Sequence, residues 1–165
     1  MAAGMSANDA AAARLVALLD ERGWRLACAE SCTGGMIAAA ITDIAGASAV
    51  FERGFVTYGN EAKSELLGVP PAVIERHGAV SRQVALLMAQ GALARSRADI
   101  PVSATGIAGP GGATEGKPVG LVHIDAAHRD GRRVHRELRL GDIGRAQVRE
   151  LSVAEALALA GELAA

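Results

Sequence analysis

The sequence predicts an α/β protein, a three-layer α/β/α sandwich on a five-stranded mixed, mostly parallel sheet, and three observations carry that expectation. Helical patterns come before and between the first three strand-like apolar runs, the order that builds parallel strands joined by helical crossovers. Near the C-terminus an Asp130-Gly131 pair separates two further strand-like runs, which signals a hairpin and so an antiparallel strand. Half of the 165 residues are hydrophobic while aromatics are only 2%, so Ala, Val, Leu and Ile must fill a core that one domain, 1–165, can bury without disulfides or metals.

The elements follow in order. Residues 1–7 are expected to be flexible. From Asn8 to Arg22, Leu15, Leu18, Leu19 and Arg22 recur at helical spacing, and Gly23 stops the helix. Trp24 to Ala29 reads as a short buried strand, and the apolar run from Met36 continues as a helix to about Ile44, broken at Gly46-Ala47-Ser48. Phe51 to Tyr58 is a second strand. Asn60 then caps a short helix ending at Gly68, and Pro70-Pro71 starts another that His77-Gly78 closes. Ser81 caps a long helix to about Arg97, with Val84, Leu87, Met88, Gly91 and Leu93 on its apolar face. Ile100 to Thr105 is the third strand, Gly106 to Pro118 an irregular loop, Val119 to Ala127 and Arg133 to Leu140 the hairpin strands, and Gly144 to Leu163 a closing helix.

Composition narrows the function classes. A formal net charge of -1 provides no global attraction to nucleic acid or to an anionic membrane, and no run reaches the roughly eighteen apolar residues of a membrane span. Arg129, Arg132, Arg133, Arg136 and Arg139 make the hairpin basic, but Asp125, Asp130 and Glu137 interrupt it, as suits a solvated edge strand. Cys28 and Cys32 match neither a zinc pattern nor a redox pair, so no metal or cofactor is expected and the thiols read as reduced, in a cytoplasmic protein.

Sheets of this kind bind ligands at the carboxyl ends of their parallel strands, and three polar, glycine-containing segments fall there. Ala29-Glu30-Ser31-Cys32-Thr33-Gly34-Gly35 places hydroxyls and a thiol where a strand becomes a helix, beside N–H groups that can hold an anion or oxyanion. Ser31 is the nucleophile candidate there, or an ordinary helix cap. After the second strand, Tyr58-Gly59-Asn60 leads to Lys63, near the positive end of a helix whose dipole, with burial, should depress the lysine pKa toward that of a general base. Lys63, or Tyr58 activated by it, could deprotonate Ser31; the bland alternative is a solvated lysine and a core aromatic. Thr105 and the loop holding Gly106, Gly109, Gly111 and Gly112 could wrap amides around a phosphate, or form a surface crossover. No histidine is placed beside Ser31. Gly111 to Lys117 satisfies GxxxxGK, yet Pro118 replaces the magnesium-binding hydroxyl and a strand follows, so the match is coincidental, although Lys117 could add positive charge to the loop.

The ordered set AESCTGG, GFVTYGNEAKSELLGV, HGAVS and TGIAGPGGATEGKPVG, within Leu26 to Leu157, resembles the CinA C-terminal domain family. The resemblance implies the same sandwich fold and, from stand-alone members, hydrolysis of nicotinamide mononucleotide to nicotinate mononucleotide and ammonia in pyridine nucleotide recycling. It implies Ser31 as nucleophile with Tyr58 and Lys63 as activating partners. It also implies Cys32, Thr33, Gly34, Gly35, Asn60, Thr105 and the glycine loop as substrate contacts, Arg145 as an anion-binding residue, and a homo-oligomer, dimer or higher. The chain departs from the family's usual YSN at Tyr58-Gly59-Asn60. It also reads Gly141-Asp142-Ile143-Gly144-Arg145 where GDR is usual, so Arg145 aligns only across a two-residue insertion. The large N-terminal domain of the molybdopterin-binding type carried by many members is not expected here. Two other readings stand beside the amidase: a non-catalytic sensor of a pyridine nucleotide or another phosphorylated metabolite, and an accessory interaction protein for DNA uptake or damage response.

Overall fold

The computed structural model describes residues 5–165. The first helix, α1 (Ala7–Arg22), opens on a capping box: the Asp9 N–H donates to Ser6 Oγ at 3.1 Å and the Ser6 N–H to the Asp9 carboxylate at 2.8 Å. Ser6 and Ala7, expected in a flexible leader, are therefore the cap and first residue of a helix; Met1 to Gly4 lie outside the described residues.

Strand β1 (Leu26–Glu30) is followed by α2 (Met36–Thr42), a 3-10 turn at Ala47–Ala49, β2 (Phe51–Val56), α3 (Asn60–Leu67), α4 (Pro71–His77) and α5 (Arg82–Ala94). Strands β3 (Ile100–Gly106), β4 (Leu121–Ala127) and β5 (Arg133–Arg139) precede the long α6 (Arg145–Ala164). The strand order is β2-β1-β3-β4-β5, with β1 parallel to β2 and β3, and β4 antiparallel to β3 and β5. Four strands thus run the same way and only β4 opposes them.

Helices α1, α2 and α6 cover one face and α3, α4 and α5 the other. The first face holds the larger core, where Leu15, Leu19, Ile37, Ile41, Leu157 and Leu159 meet Leu26, Val102 and Ile124; the second packs Leu67, Ile74, Val84 and Met88 over Ala29. The small side chains that dominate the composition set a close spacing between layers. Within the second helical layer Gly91 lets α5 approach α3 closely, since a Cβ there would lie 2.0 Å from the Leu67 carbonyl oxygen of α3. Among the described residues no helix is long and apolar enough to cross a membrane.

Element ends shift by a few residues from the sequence reading, and one cap changes identity. Gly59 is the N-cap of α3, so Asn60 is its first helical residue, exposed, with no capping bond from its side chain. Because β2 lies beside β1 while the next strand in sequence, β3, lies on the other side of β1, the carboxyl ends of all three strands open onto one crevice.

Candidate active site

A cavity of about 320 Å³ occupies this crevice. Ser31 and Cys32 after β1, Tyr58, Asn60 and Lys63 after β2, Thr105 and Gly106 at the end of β3, and Gly109, Gly111 and Gly112 of the loop that follows line it. Ala79 and Val80 of the α4–α5 junction and Arg145 at the start of α6 complete the wall. Sequence-distant groups meet here because the strands that carry them are adjacent.

Ser31 is held by its N–H, which donates to the Ala104 carbonyl at 2.9 Å, and is itself buried. Lys63 is only 1% exposed although it belongs to a helix on the molecular surface. Its Nζ lies 3.0 Å from Ser31 Oγ, 2.8 Å from the Thr57 carbonyl and 3.2 Å from the Tyr58 carbonyl. Burial lowers its pKa from 10.5 to about 8, partly opposed by Cys32. A neutral amine at this point has two N–H donors for the two carbonyls, which leaves its lone pair for the Ser31 hydroxyl proton. Desolvation, ahead of the helix dipole invoked from the sequence, is the main cause of the shift.

The rest of the constellation differs in detail from the sequence expectation. Tyr58 meets Lys63 through its main-chain carbonyl, whereas its hydroxyl accepts from Arg145 Nη2 at 3.0 Å, and the ring is largely exposed. A proton path from Ser31 through the Tyr58 hydroxyl therefore has no support in this geometry. Arg145 does reach the cavity despite the insertion before it, and its Nη1 donates to the Gly109 carbonyl at 2.9 Å. Both contacts are to uncharged oxygens, which leaves the guanidinium charge available to an anionic ligand. The Thr105 hydroxyl donates to the Ala79 carbonyl at 2.9 Å and still has lone pairs with which to accept.

The N-terminus of α2 is not an open anion site. The buried Glu30 carboxylate accepts from the Ile37 N–H at 2.8 Å, the Ala38 N–H at 3.1 Å and the Thr33 hydroxyl at 2.7 Å. A protein carboxylate thus occupies the place expected for a ligand. Thr33 is fully buried, and neither it nor Gly34 nor Gly35 lines the cavity; the two glycines instead supply the left-handed turn. There the Ser31 and Gly34 N–H groups are used internally, and those of Cys32 and Thr33 lie between them.

The neighbouring groups take supporting roles. Burial pushes the Cys32 thiol up to about 11, which disfavours it as a rival nucleophile. No histidine lines the cavity; burial, and His135 beside it, hold His123 down to about 4, so it is neutral near pH 7. Lys117 does not line the cavity and instead donates to the His77 and Val80 carbonyls, tying the glycine loop to the α4–α5 junction. Sequence reasoning missed Glu30 and Arg149. A carboxylate just before a turn into a helix is a readable signal for the first, and four-residue spacing from Arg145 for the second.

The CinA C-terminal domain model matches residues 8–164. The chain is 59% identical over 116 residues to the nicotinamide-nucleotide amidohydrolase PncC of Enterobacter agglomerans, covering 70% of this chain and 71% of that protein. A CinA-like protein of Mycobacterium marinum is 56% identical over 135 residues, which is 82% of this chain but 32% of that protein. The chain spans about a third or less of several such curated relatives. The crystal structure of the competence/damage inducible protein CihA from Agrobacterium tumefaciens superposes with a TM-score of 0.96 at 50% identity, covering 99% of each chain. By sequence along nearly its whole length and by fold, this chain belongs to the CinA C-terminal domain family.

Proposed function

We propose that this chain is a serine amidase that hydrolyses nicotinamide mononucleotide to nicotinate mononucleotide and ammonia. The observation that carries the reading is the buried Lys63 Nζ at 3.0 Å from Ser31 Oγ, with two main-chain carbonyls fixing its orientation. The relative named as a nicotinamide-nucleotide amidohydrolase supports the substrate class.

In this mechanism neutral Lys63 accepts the Ser31 proton as Oγ bonds to the carboxamide carbon, and the carbonyl π electrons move to oxygen. The N–H of Cys32, a residue that lines the cavity beside Ser31, stabilises that oxyanion. Collapse breaks the C–N bond, and Lys63 returns its proton to the departing ammonia. Lys63 then deprotonates a water that attacks the ester, and gives that proton to Ser31 Oγ as the acid is released. Arg145, with Thr105 and the amides of the glycine loop, holds the nucleotide phosphate. Tyr58 contributes its carbonyl to Lys63 and its hydroxyl to Arg145.

The test is ammonia release from nicotinamide mononucleotide without added metal, by the wild type and by Ser31→Ala. Release by the first and not the second is the expected result. Nucleotide binding by calorimetry with no release from either would replace the amidase reading with that of a sensor domain.

A further inference from the structure

The carbonyl side of the nucleophile turn is gripped by a residue outside the cavity. Arg149, one helical turn beyond Arg145 on α6, donates from Nε to the Cys32 carbonyl at 3.0 Å and from Nη2 to the Thr33 carbonyl at 3.3 Å. Gly34, at φ +58, lets the guanidinium seat closely, since a Cβ there would lie 3.4 Å from Nη2. On the opposite side, Glu30 takes the first N–H groups of α2 and the Thr33 hydroxyl. The turn is therefore held at its acceptor end by a cation and at its donor end by an anion.

A trans peptide unit points its C=O and N–H in opposite directions. Fixing the Thr33 carbonyl on Arg149 thus fixes the direction of the Gly34 N–H, which donates to the Ser31 carbonyl at 3.0 Å, and that in turn fixes the direction of the N–H of Cys32, which lines the cavity. If the Ser31–Cys32 unit flipped, a carbonyl dipole would replace the Cys32 N–H beside the cavity.

We infer that Arg149 is a positioning residue, which locks the peptide planes after Ser31 so that the Cys32 N–H is preorganised for the oxyanion. The inference rests on the amidase reading for its oxyanion, and it assigns Arg149 no contact with substrate. Its loss should act on kcat and leave the pH at which Lys63 titrates unchanged.

The experiment compares Arg149→Ala and Arg149→Lys with the wild type and Ser31→Ala. One readout is deamidation of nicotinamide mononucleotide; the other is the rate at which a fluorophosphonate probe labels Ser31, followed by intact mass. Labelling needs the same serine and the same donors but not the nucleotide, so it separates an error in substrate from an error in the role of Arg149. The expected result is a kcat about 10²-fold lower in Arg149→Ala with KM little changed, which is the scale of losing one oxyanion donor. Probe labelling should slow in parallel, and millimolar guanidinium should restore part of both rates. Arg149→Lys, which keeps the charge but loses the two-pronged donor, should fall between the two and serves if Arg149→Ala does not fold. Labelling that depends on Arg149 in a protein that leaves the nucleotide intact would retire the substrate and keep the inference. Wild-type kcat and labelling in the variants would overturn it, as would a loss that follows only a fall in Tm and is not rescued. Absence of labelling in the wild type would remove the activated serine and the inference with it.

Discussion

At the scale of single residues, burial is what makes Lys63 chemically different from an ordinary lysine. In the proposed mechanism its neutral form is the reactive one, so kcat/KM should rise with pH along a limb whose midpoint lies at about 8, measured with the nicotinamide nucleotide as substrate. A limb centred above pH 10 would contradict the buried-base assignment. The same shift has a consequence for stability. Between about 8 and 10.5 the unfolded chain binds the proton that the native chain has lost, so native stability rises with pH across that window, and the gain is lost as pH falls from 10.5 to about 8. Relative to Lys63→Met, the wild type should gain up to about 3 kcal/mol over this range in denaturant titrations. Lys63→Ala should leave the fold intact and reduce turnover to background, because no other base within hydrogen-bond reach replaces Nζ.

At the scale of elements, two short-range devices decide whether the site is assembled. Glu30 substitutes for a side-chain cap on α2, whose N-cap, Gly35, has none to offer. Glu30→Ala leaves the Ile37 and Ala38 N–H groups and the Thr33 hydroxyl without their acceptor, and should destabilise the protein by about 1–3 kcal/mol in chemical unfolding. The α3–α5 contact is equally specific. Gly91→Ala puts a methyl group against the Leu67 backbone, which cannot move aside as a side chain can, and should cost about 1–3 kcal/mol while also displacing α3 and with it Lys63. A lowered Tm together with lowered kcat is the expected pair of observations. Lys117 acts at the same scale, joining the glycine loop to the α4–α5 junction through two carbonyls. In Lys117→Met, hydrogen exchange should quicken in Gly106 to Gly112 and Gly78 to Ser81, and KM should rise more than kcat falls.

At the scale of the molecule, the sheet order brings three loops together and α6 closes the site from a fourth direction. The alternation of apolar runs, the Asp130-Gly131 turn and the ends of the helices were legible because hydrophobic period and turn chemistry are local properties. The crevice was legible for a related reason: polar, glycine-containing segments follow the strands that the crossover order makes neighbours. Ser31, Lys63 and Thr105 line one cavity, as the chain order suggested, and Arg145, to which only the family resemblance pointed, lines it with them. What could not be read is which atom of a residue does the work. Tyr58 meets Lys63 through a carbonyl that every residue has, Glu30 occupies a helix end that looked open, and Asn60 cedes the cap to a glycine. Those outcomes depend on distances of about an ångström between elements far apart in the chain, set by how small side chains pack the three layers. The sequence by itself thus determined the fold class, the strand ends that carry the chemistry and the kinds of residue gathered there. Only the tertiary structure decided that the Lys63 amine, and not the Tyr58 hydroxyl, meets Ser31, that Glu30 fills the end of α2 and that Arg149 grips the carbonyls of the turn, because hydrogen-bond direction and desolvation exist only once the layers are in contact.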